Sequence, residues 1–246
     1  MTFKQTNDKG ILIGEGRVAK VYLKDGYAYK CFQPSHPLEW INYEVNIQNE
    51  VATKTKLPVV SYDYIEGSYD IKMPYIQGVE LTYRIQKEKY KHGLEDLIFL
   101  QKQIYNYNNL SLPNAHDVFL DTLEKANIDK DMKNIGLYAL KSIERKDVLC
   151  HFDFHFSNIM FDGENYFIID WVNAKLANPI LDIARTYVIL RQYVYRMSDK
   201  YLRLIAKELN IPITSFEHPI KLMAILRIIE MQEEVPNQRL LDLIYS

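Results

Sequence analysis

The residues best placed to do chemistry stand together at His151-Phe152-Asp153-Phe154-His155-Phe156-Ser157-Asn158. Ile159-Met160-Phe161, a polar turn over Asp162 to Asn165, and Tyr166–Ile169 follow, ending in Asp170-Trp171. Two apolar runs around a polar turn predict a β-hairpin, and antiparallel pairing brings the ends of a hairpin together. Asn158 precedes the outgoing strand and Asp170 follows the returning one, so an amide oxygen and a carboxylate are expected side by side. Both are hard oxygen ligands of the kind Mg²⁺ takes. Asp153, with four residues between it and Asn158, stands at the spacing of a proton-accepting base and a metal ligand in phosphoryl transfer. A second reading takes His151, Asp153 and His155 as an alternating zinc-type cluster of a metal-dependent hydrolase. Against it, His36, His92, His116 and His218 form no paired ligand motif.

A second set lies near the start. Gly14-Glu15-Gly16-Arg17-Val18-Ala19 separates Ile11–Ile13 from the β-rich Val18–Leu23. Glycines let a backbone close over phosphates where a Cβ would obstruct. A strand follows this loop, so a dinucleotide-binding turn, which needs a helix there, is excluded. Asp25-Gly26 signals a tight hairpin, and Tyr27–Phe32 is the returning strand. Lys30 lies on it among apolar and aromatic neighbours, a compact cation suited to α- and β-phosphates. Glu39, Glu44 and Glu50 on the next helix could each pair with it; Glu44, in mid-helix, is favoured. Val21 and Ala28 would roof an adenine.

These residues need elements to hold them. Short strands and turns dominate up to about residue 77, with one helix over Leu38–Lys54 and two further strands, Val59–Tyr64 and Tyr69–Met73, joined at Glu66-Gly67. Beyond Gly78 the pattern is helical. Leu94, Leu97, Ile98 and Ile104 share a face, and Asp117–Lys125 and Lys130–Glu144 are further helices. Pro179 opens one running to about Tyr195, Ser198 is expected to cap one through Leu209, and a last pair spans Pro219–Glu233 and Asn237–Ile244. The expected fold class is α+β and bilobal: a small β-rich N-lobe over 1–77 and a larger, mostly helical C-lobe over 78–246. Ligands favour the cleft between such lobes.

Composition narrows the partners. Of the 246 residues 48% are hydrophobic and 25% charged, which excludes a disordered or collagen-like chain. A formal charge of −2 gives no basic excess, so neither nucleic acid nor an anionic membrane is an expected partner. Two cysteines, Cys31 and Cys150, a polar start and no long apolar run point to a soluble cytoplasmic protein.

Together, Gly14–Ala19, Lys30, Glu44, His151–Asn158, Ile169-Asp170-Trp171 and Asp182-x-Ala-Arg185 resemble the aminoglycoside phosphotransferase and choline kinase family over about residues 10–190. These are small-molecule kinases with a protein-kinase-like fold. The resemblance implies Asp153 as catalytic base, Asn158 and Asp170 as Mg²⁺ ligands, and Lys30 on the phosphates with Glu44 fixing it. It implies Asp182 bracing the loop backbone, and Met73, Tyr75 and Ile76 meeting the adenine of ATP, with Gly14 and Gly16 in the flap. Ala19 departs from the family's third glycine, and Phe156-Ser157 from its frequent Pro-Gly. The expected activity moves the γ-phosphate of ATP to a hydroxyl of an aminoglycoside-, choline- or sugar-like molecule. The alternative is a nucleotide-binding pseudokinase. Asp96, Asp117, Asp121, Trp171, Tyr187, Tyr193 and Glu230 are candidates for holding the acceptor.

Overall fold

The computed structural model describes residues 10–231 and 237–245. In chain order the elements are β1 (Ile11–Glu15), β2 (Ala19–Lys24), β3 (Tyr27–Phe32), α1 (Leu38–Lys54), β4 (Asp63–Tyr64), β5 (Asp70–Pro74), β6 (Val79–Glu80), α2 (Leu81–Gln86), α3 (Gly93–Ile104), α4 (Ala115–Lys125), α5 (Lys130–Ser142), β7 (Val148–Cys150), β8 (Ile159–Phe161), β9 (Tyr166–Ile168), β10 (Lys175–Ala177), α6 (Pro179–Tyr193), α7 (Tyr195–Glu208), α8 (Glu217–Met231) and α9 (Gln238–Tyr245). No helix among the described residues is long and apolar enough to cross a membrane. The chain divides into two compact units, one up to Glu80 together with Ile159–Val172, the other Leu81–Asn158 with the remainder. This differs from a single cut at 77/78. The reason is long-range pairing: β6 is the antiparallel partner of β8, so the hairpin joins the first unit.

The first unit holds an antiparallel sheet in the order β1-β2-β3-β5-β4. Asp25 and Gly26 adopt φ of 50° and 79°, the left-handed pair that matches strand twist in a two-residue hairpin, and they set Val21 opposite Lys30. One face of α1 buries Ile41, Glu44, Ile47, Gln48 and Val51, and Ile41 packs with Phe32, Tyr62 and Ile71. The strand expected over Val59–Tyr64 shrinks to Asp63–Tyr64. Side chains of α1 take the backbone groups instead: Gln48 donates to Val60 O at 2.7 Å, and Asn49 both donates to Tyr62 O and accepts from Tyr62 N at 2.8 Å. In the smaller sheet, β6-β8-β9, a Cβ on Gly78 would stand 2.3 Å from Phe161 O, so only glycine allows that approach.

The second unit is built on α6, whose residues Leu181 to Leu190 are all buried, with α7 and α8 packed against it. The helix opens on Asn178, which accepts from Ile180 N, with Pro179 in its first turn. It ends at Tyr193 rather than Tyr195 because Val194 leaves helical geometry, and α7 restarts at once. Ser198 is therefore no cap. It lies inside α7, its hydroxyl donating to Tyr195 O at 2.8 Å. The start of α8 lies close to the expected one, and its expected end at Glu233 lies outside the described residues.

One face of α6 clamps the loop that follows β7. Phe152 has φ of 60°, a strained conformation for a bulky residue. Its N–H donates to Asp182 Oδ1 at 2.6 Å, and its carbonyl accepts from Arg185 Nε at 3.2 Å. Thr186 Oγ1 holds Phe154 O at 3.0 Å. Asp182 is fully buried, and its other oxygen accepts from Tyr105 Oη at 2.8 Å and Gln101 Nε2 at 3.0 Å. This is the bracing that the resemblance implies for Asp182. Beside it, Lys175 lies 5.7 Å from the Phe152 ring centre and donates to Asn173 O. Burial lowers its pKa from 10.5 to about 8, with Glu230 opposing and Arg185 assisting.

Asp182→Ala strands several buried donors and should cost about 2–4 kcal/mol by chemical denaturation. Asp117→Ala, which removes an exposed pair with Arg145, should leave the midpoint unchanged. For Lys175 the unfolded chain binds the extra proton between pH 8 and 10.5, so that residue's contribution to stability rises with pH in that window, with a ceiling of about 3 kcal/mol. Lys175→Met should flatten that part of the stability profile; a parent profile already flat there would contradict the assignment.

Candidate active site

Each unit carries a cavity lined by residues expected from the sequence. That of the first unit holds about 440 Å³. The hairpin β2-β3 turns Val21, Ala28 and Lys30 into it, and Met73, Tyr75 and Ile76 supply another wall. Gly16 reaches the cavity from the flap, its N–H held by Ala19 O at 2.9 Å. Gly14 does not line it; it lies within β1 opposite Val21, next to an irregularity in the register. Sequence reasoning missed Tyr62 and Met160, while Arg17 and Ile169 stood inside its motifs with no role of their own. Met160 could have been found, since on a strand with Ile159 turned into the core its own side chain faces the other way.

Lys30 pairs with Glu44 at 2.6 Å, which decides among the three glutamates of α1. The residue falls on the helix face that packs under the sheet, whereas Glu39 and Glu50 do not share Glu44's burial. Burial works to lower the Lys30 pKa; the charges of Asp170 and Glu44 and the hydrogen bond to Glu44 outweigh it, so the ammonium titrates above its ordinary range. Asp170 Oδ1 lies 3.8 Å from Lys30 Nζ, beyond hydrogen bonding. That oxygen is buried and takes no hydrogen bond from the described residues. Asp170 itself has φ of 63°, a strained backbone that turns the carboxylate toward the cavity it lines. A buried carboxylate oxygen without a donor fits a hard cation better than it fits the fold alone.

The cavity of the second unit holds about 540 Å³ and is lined by Asp153, His155, Ser157, Thr82, Tyr193 and Arg227 among others. Asn158 Nδ2 donates to Asp153 O at 2.8 Å and lies 3.3 Å from Asp153 Oδ2, which commits the amide nitrogen to Asp153. His155 Nδ1 accepts from Ser157 N at 3.3 Å, so the neutral ring carries its proton on Nε2, 3.8 Å from Asp153 Oδ1. His151 turns the other way. It is fully buried, its Nδ1 accepting from Asp153 N and its ring packed edge-on against Phe154. The three alternating residues thus do not converge, and among the described residues no group of three or more His, Cys, Asp or Glu is placed to hold a metal.

Of the acceptor candidates only Tyr193 lines this cavity. Asp96 accepts from Tyr90, Asp117 is taken by Arg145 and Asp121 by Lys125. Tyr187 binds Asp199, Glu230 binds Arg185, and Trp171 is fully buried in the first unit. Arg227 was not foreseen; an arginine directly after the buried run Leu222–Leu226 of α8 is the signal that marks it.

Residues 83–203, just under half of the chain, match the model of the phosphotransferase enzyme family. No curated protein matches the sequence significantly. Among solved structures, a thermostable mutant of aminoglycoside phosphotransferase APH(4)-Ia, in ternary complex with AMP-PNP and hygromycin B, is similar at TM-score 0.65 and 12% identity, over 95% of this chain and 92% of that one. Choline kinase LicA from Streptococcus pneumoniae follows at TM-score 0.58 and 12% identity, over 96% and 89%. A choline/ethanolamine kinase family protein from Mesorhizobium loti gives 0.53 and 14%, over 98% and 95%. The resemblance read from the sequence, the mixed α+β fold class and the class of enzyme, a small-molecule kinase, agree with these comparisons.

Proposed function

We propose that this chain, with residues 83–203 of the phosphotransferase enzyme family and the fold of small-molecule kinases, moves the γ-phosphoryl group of ATP to a hydroxyl of a small molecule in a Mg²⁺-dependent reaction. The observation that carries the reading is Asp170 Oδ1, buried without a donor among the described residues, beside the Lys30–Glu44 pair in a largely apolar cavity. ATP would occupy that cavity, with adenine between Val21, Ala28 and the Met73–Ile76 segment and phosphates at Lys30. Asp170 and the Asn158 amide oxygen would hold Mg²⁺, which when bound neutralises phosphate charge. The acceptor would occupy the second unit's cavity. Asp153 orients its hydroxyl and takes the proton as the oxygen forms its bond to phosphorus and ADP leaves. The Asn158 amide holds the Asp153 carboxylate in position. A cytoplasmic setting is part of this reading, since Cys31 and Cys150, both buried, form no disulfide among the described residues.

Lys30→Ala should raise KM for ATP, lower kcat, or both, by roughly 10–100-fold with the fold retained. Kinetics like those of the parent would make Lys30 a structural residue only.

The two aspartates separate the roles. Asp153→Asn should leave Mg·ATP affinity within a few-fold while turnover falls ~10²-fold or more. Asp170→Asn should lose turnover and also weaken Mg²⁺-dependent nucleotide binding. Calorimetry with Mg·ATP beside turnover assays on both variants decides it. Loss of metal-dependent binding in Asp153→Asn alone reverses the assignment, and nucleotide binding without turnover over a broad panel of alcohols points to a pseudokinase.

A further inference from the structure

The second unit's cavity has a charge pattern that the kinase reading does not require. Among its described lining residues Asp153 is the sole carboxylate and Arg227 the sole permanent cation, and Ile85, Ile189, Leu190 and Met197 form an apolar wall. A polycationic acceptor would need several carboxylates, and every acidic candidate on the surrounding helices is committed elsewhere. A quaternary ammonium would need an aromatic cage, yet among the described lining residues Phe156 and Tyr193 are the only Phe, Tyr or Trp side chains.

Arg227 is built into place by three side chains and shares its carboxylate partner with another arginine. Its Nε donates to Gln192 Oε1 at 3.0 Å, Nη2 to Tyr193 Oη at 3.2 Å and Nη1 to Glu230 Oε2 at 3.3 Å. A guanidinium has five N–H donors, so these three bonds leave capacity for a ligand. Glu230 is also bound more tightly by Arg185, at 2.5 Å, and Lys175 senses the same carboxylate. One carboxylate oxygen is thus shared by two guanidiniums, and the one that lines the cavity is the more loosely held. A planar fork of this kind takes an oxyanion through paired N–H bonds.

We infer that the acceptor is a hydroxy compound carrying an oxyanion, a carboxylate or a phosphate ester, on a hydrocarbon spacer: Arg227 takes the anion, the apolar wall takes the spacer, and Asp153 takes the hydroxyl proton. The inference rests on the kinase reading for the word acceptor and on the cavity alone for the anion.

The test uses the full chain and four alcohols of one chain length: a hydroxyalkanoate, a hydroxyalkyl phosphate, a hydroxyalkanamide and an amino alcohol. Binding is measured by calorimetry in the presence of Mg·AMP-PNP, and phosphoryl transfer by ADP release from ATP. At least one of the two anions should bind about tenfold or more tightly than the amide and the amine, and the comparison between them identifies which oxyanion is taken. Arg227→Gln should bring the anions to within a few-fold of the amide. Arg227→Lys should keep part of the preference, having the charge without the fork. Because Arg227 also ties α6 to α8, thermal midpoints accompany both variants; if the glutamine variant does not fold, the lysine variant's acid-to-amide ratio carries the test. Equal or tighter binding of the amine or amide, no binding of either anion, or an unchanged preference in a folded Arg227→Gln overturns the inference. Anion preference in binding with no ADP release from any arm supports the anion site and overturns the kinase reading with the acceptor role.

Discussion

The peptide of Phe152 is held from both sides, by a buried carboxylate on its N–H and a guanidinium on its carbonyl. A bulky residue at positive φ costs of order 1–3 kcal/mol and persists only where its surroundings over-determine it. Asp182 and Arg185, one turn apart on α6, supply that determination. The buried Asp182 is itself made tolerable by Tyr105 and Gln101, and Gln101 by Tyr201, whose hydroxyl donates to it at 2.6 Å. Burial pushes the phenols of Tyr105 and Tyr201 well above their ordinary range, and Asp182 adds to it, so they remain donors at any working pH. Two residues beyond this clamp, Thr186 fixes Phe154, and Asp153 between them has little freedom left except in its side chain.

The first unit answers a different problem, that of keeping cations and anions ready inside a largely apolar cavity. Lys30 is desolvated, and the charges of Asp170 and Glu44 with the Glu44 hydrogen bond outweigh that cost. Glu44 is desolvated as well, and burial raises its pKa against the pull of Lys30. A pair of this kind contributes little net stability, because desolvation offsets most of the attraction. Its use is positional. Glu44 draws the flexible lysine stem to one place, and Asp170 then stands close enough to feel the charge without making a bond that a metal would have to break.

The two cavities also differ in what they leave unsatisfied. In the first it is a carboxylate oxygen without a donor; in the second each nitrogen of the guanidinium has one partner, and N–H capacity remains because the carboxylate it meets is shared with Arg185. Buried polar groups are seldom left unpaired, and on the proposed reading a ligand completes the set in each of these two cavities. An oxygen without a donor asks for a cation, and a fork with spare donors asks for an anion.

Much of this was legible in the residues themselves. Helix α1 follows from its apolar spacing over Leu38–Lys54, the β2-β3 hairpin from Asp25-Gly26, and the later hairpin from Asp162–Asn165, because these are local consequences of periodicity and turn chemistry. The motif residues Asp153, Asn158, Asp170 and Lys30 could be named for the same reason: their chemistry is carried by type and spacing. What the tertiary structure decided depends on contacts distant in sequence. Gln48 and Asn49 took the backbone groups that a strand over residues 59–62 would have used, and β6 drew the hairpin into the first unit. The choice of Glu44 over its neighbours needed the face of α1 that meets β3, and the dismissal of His151 as a ligand needed the core into which its ring turns. The acceptor side was the least legible. Acids on helices look alike until their partners are known, and only packing shows that Asp117 and Glu230 are spent on arginines while Arg227 reaches the cavity.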